Sequence, residues 1–323
     1  MTTPKRILVI RTGGVGDFIL SLPLMRALAA TWPDAELEIL GRPAIAALAR
    51  PHVTLVTSID DRRFARLFSG GSLDASDPAR AYLSSFDLVV SFLGIPKSDF
   101  GRNLRAVVPR TLFIPPPTPG AKHAAIHFLE SLGPPIVAGL GARRLPDSLE
   151  REPGHNVPRI DISAEDQEGG KLLLQRLLGQ DDGAIIVHPG SGGRDKNWPP
   201  QLFAQTVRLW SESGHSTILL QGEADGEAVR QVLDDLGQDA VPVLKDASLV
   251  QVAGAIACSR LVVGNDSGIS HLAAAVGTPL ICLFGPTDPT VWRPLGAAVR
   301  VLTFAEATPE RVCEEGIRLT TTE

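Results

Sequence analysis

The sequence contains little cysteine. Only three of its 323 residues are cysteines, Cys258, Cys282 and Cys313, and no two of them have the spacing of a Cys-x-x-Cys pair. This spacing excludes a paired disulfide framework and a Cys-x-x-Cys metal or redox site. We therefore expect buried thiols in a protein of the reducing cytoplasm.

The sequence also lacks a long hydrophobic run. The longest stretch without Asp, Glu, Lys or Arg, residues 267–287, contains His271, Gly277 and two prolines. A membrane-spanning helix needs about 20 predominantly apolar residues, so this stretch is better explained as helix, turn and buried strand. The first apolar run, residues 7–10, is too short for the core of a signal peptide, and we expect no export signal.

Basic residues are not in excess. The chain has 31 Lys and Arg against 36 Asp and Glu, a formal net charge of −5. The whole molecule therefore cannot act as a polycation, and no nucleic-acid partner is expected. Any basic binding surface must be local. A hydrophobic content of 44% with 21% charged residues is that of a globular protein and excludes disordered and fibrous classes.

Short apolar runs alternate with amphipathic stretches along the chain, which predicts parallel strands covered by helices. The predicted strands are 7–10, 37–40, 53–56, 88–92, 111–114, 184–187, 217–220, 241–244, 261–263 and 280–284. The predicted helices are 17–31, 44–49, 77–84, 122–132, 199–213, 223–236, 249–257 and 267–276. This alternation predicts an α/β protein made of two Rossmann-like domains.

The composition changes over residues 143–170. Eleven of these twenty-eight residues are charged, three are prolines, and no apolar periodicity is sustained. Such a segment is typical of an interdomain connection. We therefore predict an N-terminal domain with its connecting segment over residues 1–165 and a C-terminal domain over residues 166–323.

The loop after the first predicted strand is rich in glycine and leads to Asp17. It does not fit the dinucleotide motif Gly-x-Gly-x-x-Gly, because the third glycine position counted from Gly14 falls on Ile19. It is not a phosphate-binding Walker loop either, because the sequence has no Gly-Lys-Ser/Thr triplet. Asp17 is either a first-turn acid that interacts with the helix dipole or a catalytic carboxylate.

A second glycine-rich loop, residues 188–199, suits a pyrophosphate. Gly190 and Gly192 allow successive backbone amides to face one ligand, Ser191 adds a hydroxyl, and Lys196 adds a point charge. The alternative is a surface loop with incidental charges.

A third segment takes the predicted strand 261–263 into a helix. Asp266 or Ser267 is the expected cap, and a helix N-terminus favours anions. His271 follows Ser267 by four residues, so both project from nearly the same helix face. Considered alone, His271 is better explained as a core histidine than as a ligand contact.

The sequence has no sign of a metal site. It lacks an Asp-x-Asp triplet, and the helical pair His123 and His127 has no evident third ligand. We therefore predict neither a metal nor a cofactor.

Three segments taken together, residues 7–17, 188–199 and 264–271, resemble glycosyltransferase family 9, the ADP-heptose:lipopolysaccharide heptosyltransferases. Their order and spacing make the resemblance specific. It implies a GT-B fold, in which two Rossmann-like domains face a cleft, the second holding the nucleotide sugar and the first the acceptor. It also implies inverting, metal-independent transfer of heptose from ADP-heptose to an anionic glycolipid or glycan acceptor.

The resemblance implies a role for individual residues. Asp17 matches the family's general base. Donor contacts are assigned to Gly190, Ser191, Gly192, Lys196, Asp266, Ser267, Gly268 and His271. Acceptor contacts are assigned to Gly14, Arg62, Arg102 and Arg105, since an anionic acceptor needs cations. A lipid-linked acceptor would bring the protein to the inner face of the cytoplasmic membrane as a peripheral protein.

Two other functions stay open on the sequence alone. One is an NADP-dependent oxidoreductase that uses the loop at residues 13–16 and Arg42 for the 2′-phosphate. The other is a non-catalytic nucleotide-sugar-binding protein with the same fold.

Overall fold

A computed structural model describes residues 3–50, 53–118, 120, 122–133, 156–179 and 183–321. The chain divides into two compact units, residues 1–157 and 158–323. Each unit contains a parallel sheet whose strands are connected by helices.

The first unit contains a five-stranded sheet in the order β3-β2-β1-β4-β5. Its strands are β1 Arg6–Arg11, β2 Glu36–Gly41, β3 Leu55–Ser58, β4 Leu88–Ser91 and β5 Thr111–Phe113. Its α-helices among the described residues are α1 Val15–Thr31, α2 Pro43–Ala46, α3 Pro78–Leu83, α4 Asp99–Val107 and α5 Ala124–Glu130. Single 3₁₀ segments cover Ala47–Ala49 and Arg62–Phe68.

The second unit contains a six-stranded sheet in the order β11-β10-β9-β6-β7-β8. Its strands are β6 Ile185–His188, β7 Thr217–Leu220, β8 Val243–Leu244, β9 Leu261–Asn265, β10 Leu280–Phe284 and β11 Val299–Thr303. Its described α-helices are α6 Ala164–Leu178, α7 Pro200–Glu212, α8 Gly226–Leu236, α9 Leu249–Ala257, α10 Gly268–Val276, α11 Pro289–Trp292 and α12 Pro309–Thr321.

The central strands are buried on both faces, which is why they are continuous hydrophobic runs in the sequence. Every residue of β6 and of β9 is buried. Helix α7 packs Phe203, Val207 and Trp210 into the core of the second unit, at the spacing that places side chains on one helix face. The α/β class and the Rossmann-like sheets predicted from the sequence are both present.

Several predicted elements differ from the structure. The connecting segment predicted at 143–170 overlaps α6, whose N-cap Ser163 accepts a hydrogen bond from the Asp166 N–H at 3.0 Å. The predicted strand 53–56 lies two residues further on, as β3. Elements α4, β11 and α12 were not predicted. Strand β11 is an edge strand with one buried residue in five, so its hydrophobic pattern is weak.

Two further observations concern the thiols and the membrane. Cys282 is buried as predicted, whereas Cys258 and Cys313 are partly exposed because they lie at the end of α9 and on α12. Burial raises the pKa of Cys313 to about 12. In the described part of the chain, no helix is long and apolar enough to span a membrane.

Candidate functional site

Each sheet has one topological switch point, where successive strands begin to be added on the other side of the first strand. In the second unit this place lies between β6 and β9, and in the first unit between β1 and β4. Ligands of open α/β sheets bind beyond the carboxyl ends of the strands at such a point. The glycine-rich loops after β1 and β6 and the start of α10 after β9 all lie at these two places.

Lys196 and Asp266 form an ion pair beside the carboxyl end of β9. The Lys196 Nζ lies 2.8 Å from the Asp266 Oδ2, and the Thr287 hydroxyl donates to the same oxygen at 2.7 Å. The Asp266 side chain is 6% exposed and that of Lys196 is 32% exposed. Since an ammonium has three N–H donors, this pair holds Lys196 in place while leaving donor capacity for an anionic ligand.

His188, the last residue of β6, connects the loops that follow β7 and β9. Its Nε2 lies 2.9 Å from the Asp225 Oδ2, and its Nδ1 lies 3.3 Å from the Ser267 Oγ. His188 is 2% exposed, and Asp225 and Ser267 are each 8% exposed. Burial acts to raise the pKa of Asp225, but the hydrogen bond and charge of His188 and the Gly222 amide outweigh it, so the pKa is lowered.

The buried Asn265 holds the loop after β6 at two points. Its Nδ2 donates to the Pro189 carbonyl at 2.8 Å, and its Oδ1 accepts from the Trp198 N–H at 2.9 Å. Asn265 is fully buried at the end of β9. The two ends of the glycine-rich loop are therefore fixed by one side chain.

In the loop after β6, the space around Gly190 requires glycine, whereas the space around Gly192 does not. A Cβ atom on Gly190 would lie 1.9 Å from the Asp225 Oδ1, whereas one on Gly192 would meet nothing within 4 Å. The Ser191 hydroxyl donates to the Gly193 carbonyl at 2.6 Å. Ser191 therefore uses its proton within the loop, and its predicted contact with the donor stays a prediction.

The start of α10 has a side-chain cap and backbone amides without helical acceptors. Ser267 is the N-cap and accepts from the Ser270 N–H at 3.4 Å, and Gly268 is the first helical residue. The first amides of a helix have no intrahelical acceptor and carry the positive end of the helix dipole. His271 lies on the same helix and is 5% exposed.

In the first unit, Asp17 is the third residue of α1. Its Oδ2 accepts from the Gly14 N–H at 3.3 Å, and its Oδ1 lies 3.4 Å from the Arg11 Nη2. The carboxylate is 48% exposed. The structure thus contains the capping interaction, and the exposure leaves the carboxylate accessible for the catalytic role, which stays a prediction.

Arg11, the last residue of β1, is buried between two aromatic rings and Asp17. Its guanidinium lies over the rings of Phe92 at 4.6 Å and Phe128 at 5.4 Å, and its Nη2 donates to the Asp17 carbonyl at 2.5 Å. Its side chain is only 9% exposed. Burial lowers the pKa of Arg11, and the nearby Asp17 carboxylate opposes that shift.

The predicted acceptor arginines lie on two adjacent segments. The Asn103 Nδ2 of α4 donates to the Leu67 carbonyl at 3.2 Å and so joins α4 to the 3₁₀ segment that contains Arg62. Arg102 pairs with Asp99, and Arg105 lies over the Phe113 ring. The Gly14 amide is already used by Asp17.

The two histidines weighed as a metal pair have other partners. The His123 Nδ1 accepts from the Ala125 N–H at 3.3 Å, and the His127 Nε2 lies 3.0 Å from the Pro115 carbonyl. Among the residues that the structure describes, no group of three metal-binding side chains is found.

Sequence reasoning missed part of the site. It did not select His188, Asp225, Asn265 or Thr287, although His188 and Asn265 end the buried strands β6 and β9. That position was the available signal for them.

The chain is similar in sequence to known glycosyltransferases. The family model for glycosyltransferase family 9 (heptosyltransferase) matches residues 149–317. The chain is 26% identical to lipopolysaccharide heptosyltransferase 2 of Escherichia coli K12, covering 96% of this chain and 97% of the relative. It is 26% identical to lipopolysaccharide heptosyltransferase 1 of Salmonella typhimurium LT2, covering 88% and 89%.

Solved structures show the same fold. A family 9 glycosyltransferase from Veillonella parvula has a TM-score of 0.78 at 18% identity, covering 99% of this chain and 98% of the other. The ADP-heptose heptosyltransferase II of Escherichia coli has a TM-score of 0.74 at 23% identity, covering 98% of both chains. The GT-B fold implied by the resemblance is confirmed, and the family match favours glycosyl transfer over an NADP-dependent oxidoreductase. Because the family model covers more than half of the chain, the protein belongs to glycosyltransferase family 9, the heptosyltransferase family.

Proposed function

We propose that this protein transfers a heptose from ADP-heptose to a lipopolysaccharide-core or related glycan acceptor, with inversion and without an essential metal ion. The observation that carries the proposal is the Lys196–Asp266 pair beside the start of α10. It supplies a held cation and a helix N-terminus at the place in the sheet where a nucleotide is expected. Family membership supports the choice of a heptose donor.

The proposed donor site stabilises the leaving group. When the bond between the anomeric carbon and the diphosphate breaks, the electron pair stays on the ADP oxygen and the diphosphate gains negative charge. Lys196 and the first amides of α10 are donors of the kind that stabilises such developing charge. Asp266 and Thr287 contribute by holding Lys196 through contacts of 2.8 and 2.7 Å to one carboxylate oxygen.

The proposed general base is Asp17. The acceptor hydroxyl oxygen forms the new bond to the anomeric carbon from the face opposite ADP, and its proton passes to the Asp17 carboxylate. General base assistance of this kind contributes about 10² to 10⁴ in rate. Arg11 and the Gly14 amide fix the orientation of the carboxylate through contacts of 3.4 and 3.3 Å.

The acceptor is proposed to be anionic and lipid-linked. Arg62 is exposed, whereas Arg102 and Arg105 already contact Asp99 and the Phe113 ring and would change partner to bind an acceptor phosphate. A glycolipid acceptor would place the enzyme at the inner face of the cytoplasmic membrane as a peripheral protein. Release of the bound fraction from inner-membrane vesicles by salt would test that location.

The decisive experiment compares Asp17→Asn with the wild type. We expect the variant to bind ADP-heptose with unchanged affinity while ADP release in the presence of acceptor falls by about 10² to 10⁴. Asp166→Asn is the matched control, because Asp166 is likewise the third residue of its helix, α6. Loss of donor binding in Asp17→Asn would make Asp17 structural.

The same assay separates the remaining alternatives. Competition among ADP-heptose, ADP-glucose, UDP-sugars and GDP-sugars identifies the donor. Binding of a nucleotide sugar without turnover on any acceptor or water would instead identify a non-catalytic nucleotide-sugar-binding protein.

A further inference from the structure

His188 has two hydrogen-bond partners, a carboxylate that only accepts and a hydroxyl that can donate or accept. When it is ionised, the Asp225 carboxylate, 2.9 Å from Nε2, can only accept a hydrogen bond. The Gly222 N–H donates to the same carboxylate oxygen at 3.0 Å, which favours the ionised carboxylate. In a neutral imidazole the single N–H therefore lies on Nε2, and Nδ1 is an acceptor.

This tautomer fixes the direction of the Ser267 hydroxyl. With Nδ1 as acceptor at 3.3 Å, the Ser267 O–H must point at His188. The Ser267 oxygen, which also accepts from the Ser270 N–H at 3.4 Å, then has no proton to donate to a ligand. In a protonated imidazole both nitrogens donate, so the Ser267 oxygen accepts from Nδ1 and its own proton becomes available to the ligand.

We propose that His188 is a positioning residue of the donor site: it takes up one proton when a diphosphate binds and thereby turns the Ser267 hydroxyl toward the ligand. The proton comes from solvent, and the new N–H bond forms on Nδ1. This inference rests on the proposed function, in which the diphosphate lies at the start of α10.

The titratable groups near His188 precede α8 or lie around the start of α10. Asp225, from the start of α8, contacts the imidazole Nε2 at 2.9 Å and keeps that nitrogen a donor in both protonation states. Asp266, which precedes Ser267, is neutralised by its ion pair with Lys196. His271, four residues after Ser267, is the histidine of α10 and is tested separately below.

The test is calorimetric titration of the full chain with ADP between pH 7.5 and 9.0, in HEPES and in Tris, whose ionisation enthalpies differ. A phosphate monoester loses its second proton near about pH 6, so ADP itself does not titrate in this range. We expect an uptake approaching one proton per ADP and a Kd that rises by up to about tenfold per pH unit. The His188→Asn variant should show no uptake and a flat Kd. His215→Asn should behave as the wild type. His215 precedes β7 and so lies at the amino ends of the strands, whereas His188 lies at their carboxyl ends.

Several outcomes would overturn the inference. Wild-type protein that binds ADP without proton uptake, or equal uptake in His188→Asn, would contradict it while leaving the proposed function intact. Loss of uptake in His271→Asn would assign the proton to His271 instead. Failure of ADP to bind at all would overturn the proposed function as well. If His188→Asn does not fold, ¹⁵N NMR of the wild-type imidazole before and after ADP reports the same protonation directly, and an unprotonated Nδ1 in the complex would refute the proposal.

Discussion

Gly190 offers the sharpest test of the packing that supports the donor loop. In the variant Gly190→Ala, the new Cβ would lie 1.9 Å from the Asp225 Oδ1, 2.3 Å from its Cγ and 2.7 Å from its Cβ. The Asp225 side chain cannot simply move aside, because it is held by His188 at 2.9 Å and by the Gly222 N–H at 3.0 Å. Either the carboxylate leaves these partners or the loop backbone shifts.

The size of the effect follows from two costs. Inserting a methyl group into a well-packed site costs about 1–3 kcal/mol. Leaving the buried His188 without its carboxylate costs about 1–3 kcal/mol more. We therefore expect Gly190→Ala to lower the free energy of unfolding by about 4 kcal/mol, which for a domain of this size corresponds to about 8–16 °C in Tm.

The assay is thermal and urea unfolding monitored by circular dichroism, with Gly192→Ala as the matched control. Both glycines lie in the same loop, but a Cβ on Gly192 would meet nothing within 4 Å, so its free energy of unfolding should stay within about 0.5 kcal/mol of the wild type. Equal unfolding midpoints for the two variants would refute the packing argument.

Three further predictions follow from other contacts. Lys196→Met should weaken ADP binding about tenfold or more in calorimetry, because it removes a charge-assisted donor held by Asp266 at 2.8 Å; an unchanged Kd would contradict the donor-site assignment. The lowered pKa of Asp225 means that its ionisation stabilises the fold above its ordinary value of 3.8 and that this stability is lost as pH falls through the acid range. Urea unfolding at a series of acid pH values should therefore show a flatter pH dependence for Asp225→Asn than for the wild type. Arg11→Lys should lower the free energy of unfolding by about 1–2 kcal/mol, since an ammonium replaces the flat guanidinium over Phe92 and Phe128, and equal Tm values would count against that stacking.

The central elements of both sheets could be predicted because buried elements have a clear hydrophobic pattern in the sequence. Strands β7 and β10 and helix α9 coincide with the predicted residues, since buried parallel strands and amphipathic helices have simple hydrophobic patterns. Edge elements carry a weaker pattern. Strand β11 buries one residue of five, and only Gly170 and Leu174 are buried in α6. Most residues of both elements are therefore exposed or half-buried, and neither has a clear hydrophobic pattern.

The candidate site could be predicted only where a loop has a recognisable local composition. Gly190, Lys196 and Ser267 lie in glycine-rich or capping segments, and each was selected from the sequence. Asp225 and Thr287 were not, because their importance depends on partners 37 and 21 residues away along the chain. No local pattern encodes such a partner.

The missing information is the order of the strands. The order β9-β6-β7 places the carboxyl ends of three strands side by side, about 4.8 Å apart in each step. One imidazole at the end of the middle strand can then reach a residue 37 positions later on one side and a residue 79 positions later on the other. A polar residue that ends the first strand of such a sheet is therefore in contact range of the loops on both sides of the switch point. By the same reasoning, Arg11 at the end of β1 lies over the Phe92 ring after β4, so in each unit the last residue of the first strand contacts a residue that follows a neighbouring strand.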